Sequence, residues 1–224
     1  MLKATWNLRA VLSVHVLRLA IGMLIVRFVY PLFFAAGSTV IELTDRLLVI
    51  VLVLWMIRHT KGHPSELGLS FANWGRNITK GLAGGAALLV ISLYSERLYT
   101  TLLLVSPAQH PIVAQVQAAF SWQQLIVPLF LAGVAAPVAE EILYRLFTFL
   151  PFKDKWGVWG GALASAAVFA LFHFNAYWLA EMIIVGMGFA LLYVWTGSLL
   201  TPITAHSFIN TSKIVMMYLG VPLV

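Results

Sequence analysis

Residues 47–57 read Leu-Leu-Val-Ile-Val-Leu-Val-Leu-Trp-Met-Ile, and residues 81–93 read Gly-Leu-Ala-Gly-Gly-Ala-Ala-Leu-Leu-Val-Ile-Ser-Leu. Neither stretch alternates polar and apolar positions, so neither suits a strand of an outer-membrane barrel. An unbroken apolar run in a bilayer must satisfy its backbone groups internally, which a helix does. The rest of the chain follows the same pattern. Of its 224 residues, 61% are hydrophobic and 10% charged, against about 45–50% and 25% in soluble domains. An ordinary soluble globule and a disordered chain are excluded. The expectation is an all-α, polytopic transmembrane helical bundle, one integral-membrane domain over residues 1–224.

A spanning helix needs about 20 mainly apolar residues. Seven are predicted, near residues 10–36, 40–58, 78–104, 122–150, 157–174, 177–196 and 199–219, with an eighth possible. The first is the least regular, because His15, Arg18 and Arg27 interrupt it. It reads as a retained or amphipathic helix rather than a cleaved signal. The loop over 105–121 contains Ser106, Pro107, His110 and Pro111 and no charge, which suits a re-entrant or interfacial segment.

Lys+Arg number 14 against 8 Asp+Glu, a net charge of +6. The basic residues gather in alternate connections: Lys3 and Arg9, then Arg58, Lys61, Arg76 and Lys80, then Lys153 and Lys155. The opposite side carries Arg46, balanced by Glu42 and Asp45. Such an excess marks the cytoplasmic face. It predicts an N-terminus inside and reads the charge as a topology signal, with no nucleic acid as partner. The absence of cysteine removes disulfides, thiolate metal sites, a cysteine nucleophile and prenylation or palmitoylation of this chain. Gly81 with Gly85 and Gly157 with Gly161 are spacings that let helices pack closely.

A polar side chain deep in hydrocarbon is expensive and is a functional candidate by default. Three places qualify. Glu140, Glu141 and Arg145 lie in the fourth predicted helix. Phe169 and His173 lie in the fifth, and His206 and Asn210 in the seventh. Adjacent helical residues point about 100° apart, so one glutamate can face a cavity while the other packs against protein. Glu141 and Arg145 have the i,i+4 spacing of an ion pair, and fixing helix packing is a sufficient reason for that pair. Glu140 has no partner on its own helix, which makes it the candidate general base. His206 and Asn210 share a helix face as two hydrogen-bond donors, suited to an oxyanion or to interhelical bonding. At 1.5 Å per residue Glu140, His206 and Asn210 lie roughly 10–17 Å into the bundle, and His173 roughly 20–24 Å. Convergence of the four is therefore expected.

Other polar residues read as supporting. Glu181 is expected at the interface, Lys213 snorkelling outward and Asn175 capping a helix end. Glu96 and Arg97 are expected to mark the end of the third helix or to pair with neighbours. His59, His63 and His110 read as loop histidines. Trp55, Trp122, Trp156, Trp178 and Trp195 fall near predicted ends, as interface anchors do.

Glu-Glu-x-x-x-Arg, then Phe-x-x-x-His, then His-x-x-x-Asn, in order on successive membrane helices, resembles the CAAX protease and bacteriocin-processing family (CPBP or Abi, the type II CAAX prenyl endopeptidases). The resemblance covers roughly residues 120–212, and Glu66-Leu67-Gly68-Leu69 before the third helix is also similar to the family. It implies a glutamate-dependent intramembrane endopeptidase acting on a membrane-associated peptide, lipidated or hydrophobic at its C-terminal end. By motif position, Glu140 and His173 would activate water and His206 and Asn210 would form the oxyanion hole. Glu141 and Arg145 would support the site, and Phe169 would shape the pocket. The resemblance implies no metal and no cofactor. Glu140, His173 and His206 could in principle supply three zinc ligands, but no His-Glu-x-x-His helix is present. The expected partners are a peptide or protein substrate and the lipid bilayer, and the expected location is a prokaryotic plasma membrane. Two alternatives stand beside this reading: a non-catalytic scaffold or immunity-type protein on the same fold, and a small transporter using Glu and His as a proton relay.

Overall fold

The computed structural model describes residues 2–103 and 111–221. The regular structure among these residues is helical, with no strand. The first helix, α1 (Leu8–Leu32), starts where the Asn7 side chain accepts hydrogen bonds from the backbone N–H groups of Arg9 and Ala10. It passes through a wide π-turn at Ile25–Val29. Next come α2 (Ser38–His59), α3 (Trp74–Leu103) and the short α4 (Pro111–Gln117). Helical structure then runs from Trp122 to Leu171. Gly157 breaks it: its φ of 74° and ψ of 178° belong to no helix, and glycine adopts them without a Cβ clash. The break separates α5 (residues 122–156) from α6 (residues 158–171). The two fold back on each other, and the Ser165 hydroxyl of α6 donates to the Tyr144 carbonyl of α5 at 2.7 Å. The last two helices are α7 (Leu179–Thr196) and α8 (Leu200–Tyr218).

Seven long helices thus stand close to the seven predicted. Leu8–Leu32, Trp74–Tyr99, Trp122–Leu171 and Leu179–Thr196 are each long and apolar enough to cross a membrane. Two differences matter. The predicted span at 157–174 ends at Leu171, so His173 lies in the turn beyond the helix. Of the glycine pair 157/161, Gly157 is the break rather than a packing position, whereas Gly161 lets α6 pack closely on α5 as expected, since a Cβ there would meet the Lys153 backbone. The expected re-entrant loop is described only from Pro111 onward; Ser106, Pro107 and His110 lie outside the described residues.

The exterior is apolar. Leu12, Met23, Phe28, Leu47, Val51, Val90 and Tyr94 are exposed, while Glu141 and Arg145 are fully buried. That inversion suits a chain solvated by lipid. Small residues let α3 approach the last two helices, as membrane helix packing requires. A Cβ on Gly81 would sit 2.6 Å from Thr204 Cβ, and one on Gly85 3.0 Å from the Ala205 Cα. At the α7–α8 turn, Gly68 (φ 83°) lies against Gly197 (φ 65°), and the Gly68 carbonyl accepts from the Leu199 N–H at 2.9 Å. The Glu66–Leu69 segment is thereby tied to the α7–α8 turn.

The basic connections meet at one end of the bundle. Lys153 Nζ donates to the Leu2 carbonyl at 2.6 Å, the Ala4 N–H donates to Asp154, and the Thr5 and Thr60 hydroxyls are 3.1 Å apart. At that end Lys80 also lies over the Trp195 ring at 4.5 Å.

Candidate active site

The site is built from α5, whose own irregularity prepares it. Leu131–Ala135 forms a π-turn in which the Ala136 N–H reaches back five residues to the Leu131 carbonyl. In that register the Ala132 carbonyl would be paired by residue 137. Pro137 has no N–H to offer, so the carbonyl is left free. Asn210 of α8 fills the gap, its Nδ2 donating to Ala132 O at 2.8 Å. This is the interhelical bonding that the sequence left open for Asn210 beside an oxyanion role. One amide hydrogen repairs the helix and the other remains available.

The adjacent glutamates have different surroundings, as their 100° separation requires. Glu141 is fully buried. Its Oε1 accepts from His206 Nδ1–H at 2.9 Å, and its Oε2 lies 3.1 Å from Arg145 Nε as an ion pair without aligned hydrogen-bond geometry. Arg145 is also fully buried. Its guanidinium is held between the Phe169 and Phe189 rings, 4.7 and 5.2 Å from their centroids, and Nη2 donates to the Gly186 carbonyl at 3.3 Å. A Cβ on Gly186 would stand 3.0 Å from Ala166 Cβ and 3.2 Å from Nη2, so glycine seats the guanidinium without displacing either neighbour. Phe169 therefore does more than fill space. Its ring faces a buried cation, an attraction worth about 2 kcal/mol when desolvated.

Glu140 faces the cavity. Its Oε1 is 3.4 Å from Arg46 Nη2 and its Oε2 is 3.8 Å from His206 Nε2. The partner missing from its own helix is thus supplied by α2. Arg46 is held in turn by Asp45 at 2.9 Å, and Asp45 takes paired hydrogen bonds from Arg18 at 2.7 and 2.6 Å. Charges alternate along Arg18, Asp45, Arg46 and Glu140 across three helices.

His173 Nδ1 lies 2.8 Å from the Phe169 carbonyl. A carbonyl only accepts, so Nδ1 carries the hydrogen and neutral Nε2 keeps its lone pair. The ring stands edge-on to Phe169 at 4.6 Å, and His206 stacks on Phe189 at 4.7 Å. Glu140, Phe169, His173, His206 and Asn210 line one cavity of about 590 Å³, within the range of small-molecule sites. Glu141 and Arg145 stand behind its wall. All seven residues singled out in the sequence therefore belong to one region, five on the cavity and two supporting it. Among the described residues no three His, Asp or Glu side chains are grouped to hold a metal ion.

The same cavity corrects three further expectations. Glu181 is not interfacial; it is buried and accepts from Ser92 Oγ at 2.5 Å and from Lys213 Nζ at 2.7 Å. Lys213 does not snorkel outward; it points inward between Glu181 and Glu96, 3.1 Å from the latter. Asn175 does not end a helix; its side chain accepts from the Tyr177 N–H at 3.0 Å in the turn before α7. Tyr177 also lines the cavity, and burial, with Glu96 nearby, pushes its phenol up to about 12, so it stays protonated. Arg46 and Phe189 were missed in the sequence. A charged residue inside α2 was a usable signal for Arg46; Phe189 carries none.

Residues 122–212 match the family described as type II CAAX prenyl endopeptidase Rce1-like. Over that segment, which is less than half of the chain, the protein is similar to this family. A Bacillus subtilis protein named "Putative membrane peptidase YdiL" is 30% identical over 92 residues, which are 40% of this chain and 38% of that protein. An Escherichia coli protein named "Uncharacterized 24.3 kDa protein" is 31% identical over 108 residues, 46% of this chain and 49% of that one. The match thus spans less than half the length of either curated relative. No solved structure matches.

Proposed function

We propose that the protein is an intramembrane endopeptidase in which Glu140 activates water to cleave a membrane-associated peptide. The observation that carries the reading is a carboxylate and two imidazoles on one buried cavity, with the neighbouring carboxylate of Glu141 committed elsewhere. Similarity to a peptidase family over the residues that carry the site supports it.

The chemistry follows from the groups at hand. Water enters between Glu140 and His173 Nε2, both of which accept hydrogen bonds. Glu140 takes a proton as the water oxygen bonds to the peptide carbonyl carbon. The carbonyl oxygen becomes an oxyanion, facing the spare amide hydrogen of Asn210 and the Nε2–H of His206 in its imidazolium form, the cation that Glu141 balances. Glu141 fixes the His206 ring by holding Nδ1–H. Collapse breaks the C–N bond, and the leaving nitrogen takes the proton from Glu140. The products are a carboxylic acid and an amine. Donors already in place at a developing charge lower the barrier because they need not reorganise.

The test is cleavage by purified protein in detergent of a prenylated CAAX-type peptide and of unlipidated hydrophobic peptides, read by mass spectrometry, with and without a chelator. The reading expects cleavage that survives chelation and is lost in Glu140→Gln. Cleavage abolished by the chelator, or unchanged in Glu140→Gln, overturns it.

A further inference from the structure

Besides the catalytic groups, a second charged cluster lines the cavity. Glu96, Glu181 and Lys213 all line it. They come from α3, α7 and α8, and the mechanism above uses none of them. Glu96 is 3% exposed and Glu181 8% exposed. One lysine thus stands between two buried carboxylates, at 3.1 and 2.7 Å.

The charges do not balance. Four carboxylates line the cavity (Glu42, Glu96, Glu140 and Glu181) against two cations, Arg46 and Lys213. Arg46 is committed to Asp45 and Glu140. Lys213 is shared by Glu96 and Glu181. Both hydrogen bonds that Glu181 receives, from Ser92 and from Lys213, go to Oε1. No described residue hydrogen-bonds to Oε2, on a side chain that is 10% exposed and faces the cavity. A buried carboxylate without its full complement of partners is costly, and a cation delivered by the ligand relieves that cost with a charge-assisted hydrogen bond.

Resting on the endopeptidase reading of the same cavity, we infer that Glu181, with Glu96, forms a subsite for a protonated nitrogen of the substrate, and that the preferred peptide carries a basic group beside an apolar segment. Lys213 holds the two carboxylates in place and leaves Glu181 Oε2 to the ligand. Glu181 is then a specificity-determining residue: it selects the substrate and takes no part in the bond-breaking step.

The experiment uses hydrophobic peptides that carry lysine, norleucine or glutamate at one scanned position, each with a free or an acetylated amino terminus. Binding to Glu140→Gln protein is read by fluorescence anisotropy, and cleavage by wild type is read by mass spectrometry. The lysine peptide is expected to bind about tenfold or more tighter than its norleucine twin. Glu181→Gln should bring that ratio to near one and leave norleucine binding unchanged. Glu96→Gln gives the second reading if Glu181→Gln does not fold. Retention of the preference in acetylated peptides assigns it to the side chain; its loss assigns it to the terminal amine, which is the same chemistry from another source. Equal affinities, a preference for glutamate, or a lysine preference that survives both substitutions overturns the inference. Cleavage without lysine preference refutes the subsite alone, whereas lysine-selective binding without any cleavage refutes the endopeptidase reading alone.

Discussion

Replacing Glu140 and Glu141 separately by glutamine should give opposite phenotypes, although the two are neighbours. Glu141 and Arg145 have fully buried side chains and form an i,i+4 ion pair at 3.1 Å. Removing one member of such a pair leaves an uncompensated buried charge, at a cost of about 3–5 kcal/mol. For a chain of this size each kcal/mol moves the melting temperature by about 2–4 °C, so Glu141→Gln should lower it by roughly 6–20 °C. Glu140 pairs with Arg46 at 3.4 Å beside a cavity, with side-chain exposures of 10% and 22%, and Arg46 keeps Asp45 when Glu140 is gone. No charge is orphaned by its loss and the contact is long for a charge-assisted hydrogen bond, so it contributes about 0.5–1.5 kcal/mol, and Glu140→Gln should melt within about 6 °C of wild type. Adding Arg145→Met to Glu141→Gln should recover part of the loss, because the orphaned charge is removed with it. Intrinsic-fluorescence melting in one detergent, with all variants side by side, gives the comparison. Equal melting of the two single variants, or a larger loss in Glu140→Gln, would refute the division of labour between the two carboxylates.

Other substitutions probe other parts of the account. Asn210→Ala leaves the Ala132 carbonyl unpaired, which should cost about 1–3 kcal/mol and slow cleavage; a variant that melts like wild type would show that the carbonyl finds another donor. Arg46→Met should lower kcat up to about tenfold by freeing Glu140 from its clamp, with partial rescue in Arg46→Lys, since a contact of about 1.4 kcal/mol corresponds to tenfold in rate. The chain has no cysteine, so Lys155→Cys and Phe120→Cys can be labelled cleanly. If the basic end is cytoplasmic, a membrane-impermeant thiol reagent should reach Cys at 120 in intact cells and Cys at 155 only after permeabilisation; the reverse pattern would invert the topology.

The helices were legible because lipid-facing runs are written directly in composition. Each predicted span has its helix, displaced by a few residues at the ends. The segregation of basic connections was legible for the same reason, and Lys153, Leu2, Thr5 and Thr60 do meet at one end. Glu140, Glu141 and Arg145 could be separated by helical spacing alone. What could not be read were partners from distant helices. Nothing local tells Arg46 to reach Glu140, or Lys213 to turn inward between Glu96 and Glu181. Glu181 and Lys213 were each placed at a surface because a lone charge on a helix normally escapes to water. Only the fold reveals that they compensate each other. Asn210 shows a subtler limit, since its bond to Ala132 follows from a π-turn that Pro137 leaves one donor short.

The most direct measurement is the ratio of kcat/KM between wild type and Glu140→Gln on one cleavable membrane peptide, taken on preparations with matched melting curves. Loss of a general base costs about 10²–10⁴-fold, and the account predicts a loss of at least that size with binding retained. A Glu140→Gln protein that folds normally and cleaves within a few-fold of wild type would contradict it.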